Sequence, residues 1–303
     1  MALSRRNFGL AAAAGLAAAA APGWALARIA LGAKRIETLS DGHLTLPQEF
    51  VFGGLDPEAL HPVLQRHGIG AAPLTPEVNV TLLRDEGRVV LFDAGSGPGF
   101  QNSAGKLPMA LEAIGVAPEE VTHVVFTHCH PDHLWGVLDD FDDVLFPEAV
   151  FLMGQGEWDY WYDPDTAASI GSSRAAMAAG ARRRMEVLED RVQLFADGTE
   201  ILPGVAARAT RGHTPGHMSF EIRSGSESVL ILGDAIGNDH VSFAEPTWPV
   251  GSDQDPQTAA ATRLRLLDQL ASEQMRLIGY HLPGGGIGRA ERSGSGYRFV
   301  PEG

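Results

Sequence analysis

The sequence predicts an α/β protein built as one domain, and three observations carry that reading. Short runs rich in Val, Ile, Leu and Phe recur between turn residues; stretches with helical apolar spacing lie between them; no Pro/Gly/Ser-rich linker or short tandem repeat divides the chain. With 303 residues, 44% of them hydrophobic, the chain can bury a large core, which argues against disorder.

The first 27 residues stand apart. Arg5 and Arg6, with no acidic residue, precede an Ala-rich run from Leu10 to Ala21, and Ala25-Leu26-Ala27 follows. Charged, apolar and A-x-A segments in that order predict a cleaved secretory signal over residues 1–27, leaving 28–303 as the mature domain. Ser4-Arg5-Arg6-Asn7-Phe8-Gly9-Leu10 resembles a bacterial twin-arginine export signal, which implies a periplasmic or secreted protein. The uncharged run from Asn7 to Ala27 is nominally long enough to span a bilayer, but Ala and Gly insert weakly, so no stable membrane anchor is expected after processing.

Val78–Leu83, Val89–Phe92, Val121–Thr127 and Val229–Leu232 read as buried or half-buried strands. Lys106–Ile114, Ser173–Leu188 and Pro256–Glu273 read as helices, the last capped by Asp255 ahead of Pro256. Two aromatic segments depart from this pattern and read as loops: Pro47–Leu55 with Phe50 and Phe52, and Gln155–Asp165 with Trp158, Tyr160, Trp161 and Tyr162. Such residues either plug the core or wall a binding cleft, and Phe50, Phe52, Trp158 and Trp161 are the candidates for a substrate pocket.

Charge excludes several partners. Twenty-three Lys+Arg face 38 Asp+Glu, a net charge of −15, and removal of Arg5 and Arg6 with the signal makes it −17. Nucleic acid and anionic membrane surfaces are therefore disfavoured, and a small-molecule substrate is expected. The run Arg182–Arg184 reads as a solvated helix face. A single Cys129 excludes an intramolecular disulfide, so stability must come from packing or metal.

Histidine carries the chemistry. The run Val121–Thr127 leads directly into His128-Cys129-His130-Pro131-Asp132-His133. Residues two apart in an extended segment point the same way, so His128 and His130 can share one cation while Cys129 points away. Asp132 and His133 sit where the chain turns into a helix, free to address a second cation. Burying four such groups without metal or partners costs several kcal/mol. Three further candidates follow: His213 in Gly212-His213-Thr214-Pro215-Gly216-His217, Asp234 after the run Val229–Leu232, and His281 after Leu277-Ile278. His43, His61, His67, His123 and His240 match no motif and read as structural.

In these seven positions, in this order, the chain resembles the metallo-β-lactamase-fold hydrolases. It resembles most the methyl parathion hydrolase and quorum-quenching lactonase branch, through Thr127, Asp132, the loop from Gly212 to His217, Asp234, and the tail from His281-Leu282-Pro283 to Pro301. The resemblance runs from about Lys34 to the end and implies a four-layer αββα sandwich. It implies that His128, His130 and His213 hold one divalent ion and Asp132, His133 and His281 a second, with Asp234 bridging. Zn²⁺ suits such ligands, with Mn, Co or Fe as substitutes. A bridging hydroxide would then attack a small ester-type substrate, a lactone or carboxylic ester, with Asp132 passing a proton to the leaving group. A phosphotriester (organophosphate) is the alternative substrate; a β-lactamase and an iron-dependent sulfur-oxidising enzyme are more remote readings.

The resemblance further implies that Asp93 hydrogen-bonds a ligand histidine, and a homodimer, for which the sequence carries no separate signal; His217 reads as a support beside the metals or a closure of its loop, and Thr127 as a hydroxyl that positions a ligand or a residue that fits its strand. One departure stands out: Gly284-Gly285-Gly286 occupies a place where parathion-hydrolase-like relatives carry an aromatic, predicting a wider or more mobile pocket mouth. If metal is the cross-link between distant segments, chelation is expected to lower the melting temperature together with activity. An unchanged melting temperature in metal-free protein would refute the structural half of that expectation.

Overall fold

A computed structural model of the chain describes residues 23–302. Arg5, Arg6 and the Ala-rich run of the predicted export signal lie outside the described residues. The end of that signal is described: Ala25–Ala27 belongs to the first strand, where Ala27 is buried and pairs with Thr38.

Two seven-stranded sheets form in chain order. The first comprises β1 (Ala25–Leu31), β2 (Lys34–His43), β3 (Glu77–Asp85), β4 (Arg88–Phe92), β5 (His123–Val125), β6 (Val150–Gly154) and β7 (Val192–Phe195). The second comprises β8 (Glu200–Leu202), β9 (Val205–Ala209), β10 (Met218–Ser224), β11 (Glu227–Gly233), β12 (Arg276–Gly279), β13 (Ile287–Ser293) and β14 (Gly296–Pro301). The helices are α1 (Gln48–Phe52), α2 (Pro57–Arg66), α3 (Leu107–Ala113), α4 (Pro131–Leu134), α5 (Gln155–Tyr162), α6 (Thr166–Ser169), α7 (Ala175–Leu188), α8 (Val241–Ala244) and α9 (Pro256–Glu273).

Alternation along the strands explains why their apolar runs are continuous. In β4, Val90 and Phe92 enter the cluster between the sheets, while Leu91 faces the opposite cluster with Leu107, Leu111 and Met185 of α3 and α7. In β11, Val229 and Ile231 face between the sheets, and Leu230 and Leu232 meet Leu266, Leu267 and Leu270 of α9. Strands covered on both faces must be apolar on both. The result is the four-layer helix, sheet, sheet, helix sandwich. Within α9, Asp255 caps as its position predicts, accepting the Thr258 N–H at 3.0 Å.

Most strands pair antiparallel, but β4 to β7 run parallel to one another, as do β11 and β12. Parallel neighbours end at the same edge. The segments after β4, β5, β11 and β12, which carry Asp93, the His128–His133 motif, Asp234 and His281, thus leave their sheets side by side.

Three readings of the sequence need correction. The two aromatic segments are helices rather than loops: α1 lies within Pro47–Leu55, and α5 occupies most of Gln155–Asp165. Their aromatics follow no single apolar stripe, which hides the period. The basic run on α7 is not uniformly solvated, since Arg184 is buried, lies over the Trp135 ring at 4.3 Å and donates to the Trp135 carbonyl at 3.1 Å. Finally, Gly284–Gly286 does not open the pocket mouth. All three have positive φ; Gly284 is exposed with open space around it, but Gly285 and Gly286 are buried, and a Cβ on Gly286 would stand 2.0 Å from the Gly279 carbonyl oxygen, so two of the three are packed and need glycine.

Phe220 on β10 ties the layers together. It is fully buried against Phe92 of β4 and Phe195 of β7, with ring centroids 5.4 and 5.9 Å away. Phe220→Ala is expected to destabilise the protein by about 3–5 kcal/mol, measured by urea unfolding; a loss under about 1 kcal/mol would mean that the interface between the sheets closes around the gap.

Candidate metal centre

The seven predicted ligands converge. His128 and His130 leave the end of β5 on alternate positions, with Cys129 between them turned into the core, its Sγ 3.6 Å from Met153 Sδ. Pro131 starts α4, which carries Asp132 and His133. Asp234 follows β11, and His281 lies two residues beyond β12. Gly233 permits this: its φ is +55°, and a Cβ there would meet His217 Nε2 at 2.7 Å.

Two donor groups form. His128 Nε2 and His213 Nε2 each lie 2.9 Å from His130 Nδ1. Asp132, His133 and His281 make the second, with His281 Nε2 at 3.1 Å and His133 Nε2 at 3.4 Å from Asp132 Oδ2. Asp234 reaches both: Oδ1 lies 3.3 Å from His133 Nε2, and Oδ2 lies 3.4 Å from His213 Nε2 and 3.3 Å from His281 Nε2.

Outward hydrogen bonds decide which nitrogen each ring presents. His133 Nδ1–H donates to Asp93 Oδ2 at 2.8 Å, His213 Nδ1–H to Asp253 Oδ1 at 3.0 Å, and His281 Nδ1–H to the Glu77 carbonyl at 2.7 Å. His128 Nδ1–H reaches Thr127 Oγ1 at 3.0 Å, which in turn donates to Asp93 Oδ2 at 2.8 Å. Each of these four rings therefore aims Nε2 inward. His130 is the exception and aims Nδ1. His217 holds no place in either group; its Nε2 accepts the Asp234 backbone N–H at 3.0 Å, fixing the base of the shared carboxylate.

These side chains fit divalent metal. Asp132 Oδ2, His133 Nε2 and Asp234 Oδ1 are buried without a hydrogen bond, a costly arrangement for the protein alone. A tetrahedral cation at 2.0–2.1 Å sets its ligand atoms about 3.3 Å apart, close to the spacings seen. Burial, with the neighbouring imidazoles, keeps His128 and His130 well below the usual histidine range, so both are neutral lone-pair donors. Burial opposes ionisation of Asp132 and Asp234, but His133 and His281, which these carboxylates hold protonated above the usual histidine range, outweigh it and keep both carboxyls below theirs; a bound metal would take the place of the Nε2 protons.

Several supporting residues escape the sequence. Glu157 of α5 is fully enclosed: Oε1 accepts the Cys129 N–H at 2.9 Å and the Trp161 indole N–H at 2.5 Å, and Oε2 accepts Thr214 Oγ1–H at 2.7 Å and the Gly216 N–H at 3.1 Å. One carboxylate thus clips the His128–His130 segment to the loop bearing His213. Asp253 orients His213 and is held by Arg263 of α9 at 2.7 Å. Tyr280 stacks on His133 with centroids 3.8 Å apart and donates to the Asp132 carbonyl at 2.7 Å. An acid among four aromatics was the available signal for Glu157; nothing local marks Asp253.

Beside the centre opens a cavity of about 430 Å³, lined by His130, Asp132, His213, Asp234 and His281 at one end and by Leu44, Leu46, Phe50, Ile69, Leu74 and Val250 elsewhere. Of the pocket candidates, Phe50 lines it. Phe52 is buried beneath, edge-on to His240 at 5.7 Å. Trp158 stacks on Tyr162 at 4.8 Å, and Trp161 is buried edge-on to His130 at 5.6 Å, so α5 braces the centre from behind. His240, read from sequence as structural, stands in the cavity wall.

Comparison with known proteins agrees with this geometry. The sequence profile described as Metallo-beta-lactamase superfamily matches residues 75–281. The N-acyl homoserine lactonase AttM of Azorhizobium caulinodans is 28% identical over 125 residues, covering 40% of this chain and 43% of AttM. The uncharacterized protein YobT of Bacillus subtilis is 29% identical over 160 residues, covering 52% of this chain and 62% of YobT. These matches span less than two thirds of either relative's own length. Among solved structures, AidC, described as a dizinc quorum-quenching lactonase, aligns with a TM-score of 0.85 and 24% identity over 91% of this chain and 97% of AidC. AbOPH, described as a hydrolase in the beta lactamase superfamily, gives 0.85 and 26% over 92% and 98%.

Glu157 supplies a pH test. Burial pushes its carboxyl from the ordinary 4.5 up to about 7, against the hydrogen bonds that favour the anion. A raised carboxyl gives its full stability below pH 4.5 and loses it as pH rises through 7. Glu157→Gln removes acceptors for Thr214 and Gly216 and is expected to cost about 1–3 kcal/mol at pH 5. That cost should fall by about 2 kcal/mol on moving to pH 8, read from urea unfolding of metal-loaded protein; a cost independent of pH would mean that Glu157 is ionised throughout.

Proposed function

Because the chain belongs to the metallo-beta-lactamase superfamily, we propose that it is a dinuclear metal-dependent hydrolase of a small ester-type substrate, a lactone or carboxylic ester. The observation that carries this reading is the meeting of two ligand groups at Asp234, at one end of a largely apolar cavity. The lactonases AttM and AidC among its relatives and structural neighbours support it.

His128, His130 and His213 would hold one ion, Asp132, His133 and His281 the other, and Asp234 both. Two divalent ions, Zn²⁺ by the chemistry of this imidazole and carboxylate set, supply Lewis acidity and an acidified water when bound. The protein's own part is orientation and exclusion. The Asp93, Asp253 and Glu77 contacts fix the rings, Leu44, Leu46, Phe50 and Ile69 shed water and receive an apolar substituent, and Asp132, through the carboxylate oxygen that holds no metal, would move a proton toward the departing oxygen. From Arg5, Arg6 and the apolar run after them, export by a twin-arginine route belongs to the same proposal. Among the described residues, no helix is long and apolar enough to cross a membrane.

The test is a panel of lactones, aryl esters, phosphotriesters and β-lactams run beside elemental analysis. Lactones or esters are expected to be cleaved with two metals bound per chain, and His128→Ala or Asp234→Ala to lose activity about a hundredfold or more. Hydrolysis that persists without stoichiometric metal would overturn the mechanism, and a clear preference for phosphotriesters would overturn the substrate class.

A further inference from the structure

Beside the metal centre the cavity wall carries two hydrogen-bond donors that the protein leaves unused. Both lie on the loop after Asp234, which contributes Asn238, Asp239 and His240 to the lining. Asn238 Oδ1 accepts the Ser242 N–H at 2.8 Å, and this bond sets the amide so that its NH₂ faces elsewhere. His240 Nδ1 accepts the Val241 N–H at 2.9 Å, so the ring proton sits on Nε2. The two residues are only 8% and 9% exposed, yet neither Asn238 Nδ2 nor His240 Nε2 meets an acceptor among the described residues. Neither donor atom is sealed from solvent, so in residues that line the cavity both are open to an acceptor from outside.

The surrounding charge selects that acceptor. Asp239, between the two in sequence, and Glu77 line the same cavity, so away from the metal end this wall disfavours an anionic group. Arg174, the cation of the wall, already donates to the carbonyls of Gly251, Ser252 and Asp253. Burial, with His67 nearby, pushes His240 down to about 4, so its ring is a neutral donor at physiological pH. A neutral carbonyl oxygen satisfies these conditions.

We propose that Asn238 and His240 form a specificity subsite for a second, neutral carbonyl group of the substrate, such as an amide, separate from the bond that is cleaved. The proposal rests on the reading of the cavity as an ester site and deepens it, since it requires a substrate with two acceptors as well as an apolar tail.

The experiment uses the metal-loaded full chain and N-cyclopentylhexanamide, which keeps amide and tail but has no ester bond. Calorimetric titration is expected to show binding, with cyclopentyl hexyl ether at least about tenfold weaker. Asn238→Asp keeps the acceptor for Ser242 while removing the donor, and His240→Phe keeps the ring; each is expected to weaken amide binding about tenfold, with His240→Gln recovering most of it. In parallel, kcat/KM for N-hexanoyl homoserine lactone relative to γ-decalactone should fall about tenfold in the same two variants, with metal content and melting temperature as controls. Equal affinity for amide and ether, an unchanged ratio, or no amide binding by the wild type overturns the subsite. Wild-type protein that binds the amide but cleaves neither lactone overturns the ester reading and leaves the subsite standing.

Discussion

The structure turns on one constraint: five histidines and two aspartates are buried side by side where the two sheets end, and every polar atom among them must be satisfied. Asp132 Oδ2, His133 Nε2 and Asp234 Oδ1 have no hydrogen bond within the protein. A divalent cation satisfies such atoms and offsets the two carboxylates; without one, the cluster would be a large penalty at the heart of the molecule. The remaining architecture serves that cluster. Parallel pairing of β4 with β5 and of β11 with β12 delivers its segments to one edge, and Phe220 with its partners keeps the two sheets in register.

A ring of carboxylates and carbonyls stands outside the ligands and does the positioning. Asp93 accepts from His133 and Thr127, Asp253 from His213 and Arg263, and the Glu77 carbonyl from His281. These contacts hold tautomers as well as rotamers, because a donated Nδ1–H leaves Nε2 free to bind. Glu157 works at one remove, joining the Cys129 and Gly216 N–H groups and the Thr214 hydroxyl rather than ligand atoms, so that it ties the two histidine-bearing loops together.

The cavity combines two chemistries. Its metal end is polar and rigid, whereas α1 and the segment from Ile69 to Leu74 give an apolar wall. The loop Gly237–His240 joins these regions and brings neutral donors between them. Such a gradient distinguishes substrates by where their polar groups fall along the cavity, not by the scissile bond alone.

How much of this was legible in the sequence follows from how local each signal is. The continuous apolar runs Val89–Phe92 and Val229–Leu232 disclosed strands buried on both faces, and Asp255-Pro256 disclosed the start of α9, because strand covering and capping act within a few residues. The histidine motif was legible for the same reason: alternation at the end of β5 fixes which way His128, Cys129 and His130 point. What joins them to His213, Asp234 and His281 is set by strand order, over separations of 80 residues and more. Helices α1 and α5 were hidden because tertiary packing, not an apolar stripe, places their aromatics, and Arg184 proved buried because Trp135 happens to lie beneath it. The sequence by itself determined the layered class and marked the seven candidate ligands, through residue type, short-range spacing and the order of the motifs. Only the tertiary structure decided that Glu157, Asp253 and His240 belong beside the centre and that Gly285 and Gly286 are packed, because those roles depend on which distant backbone each residue meets.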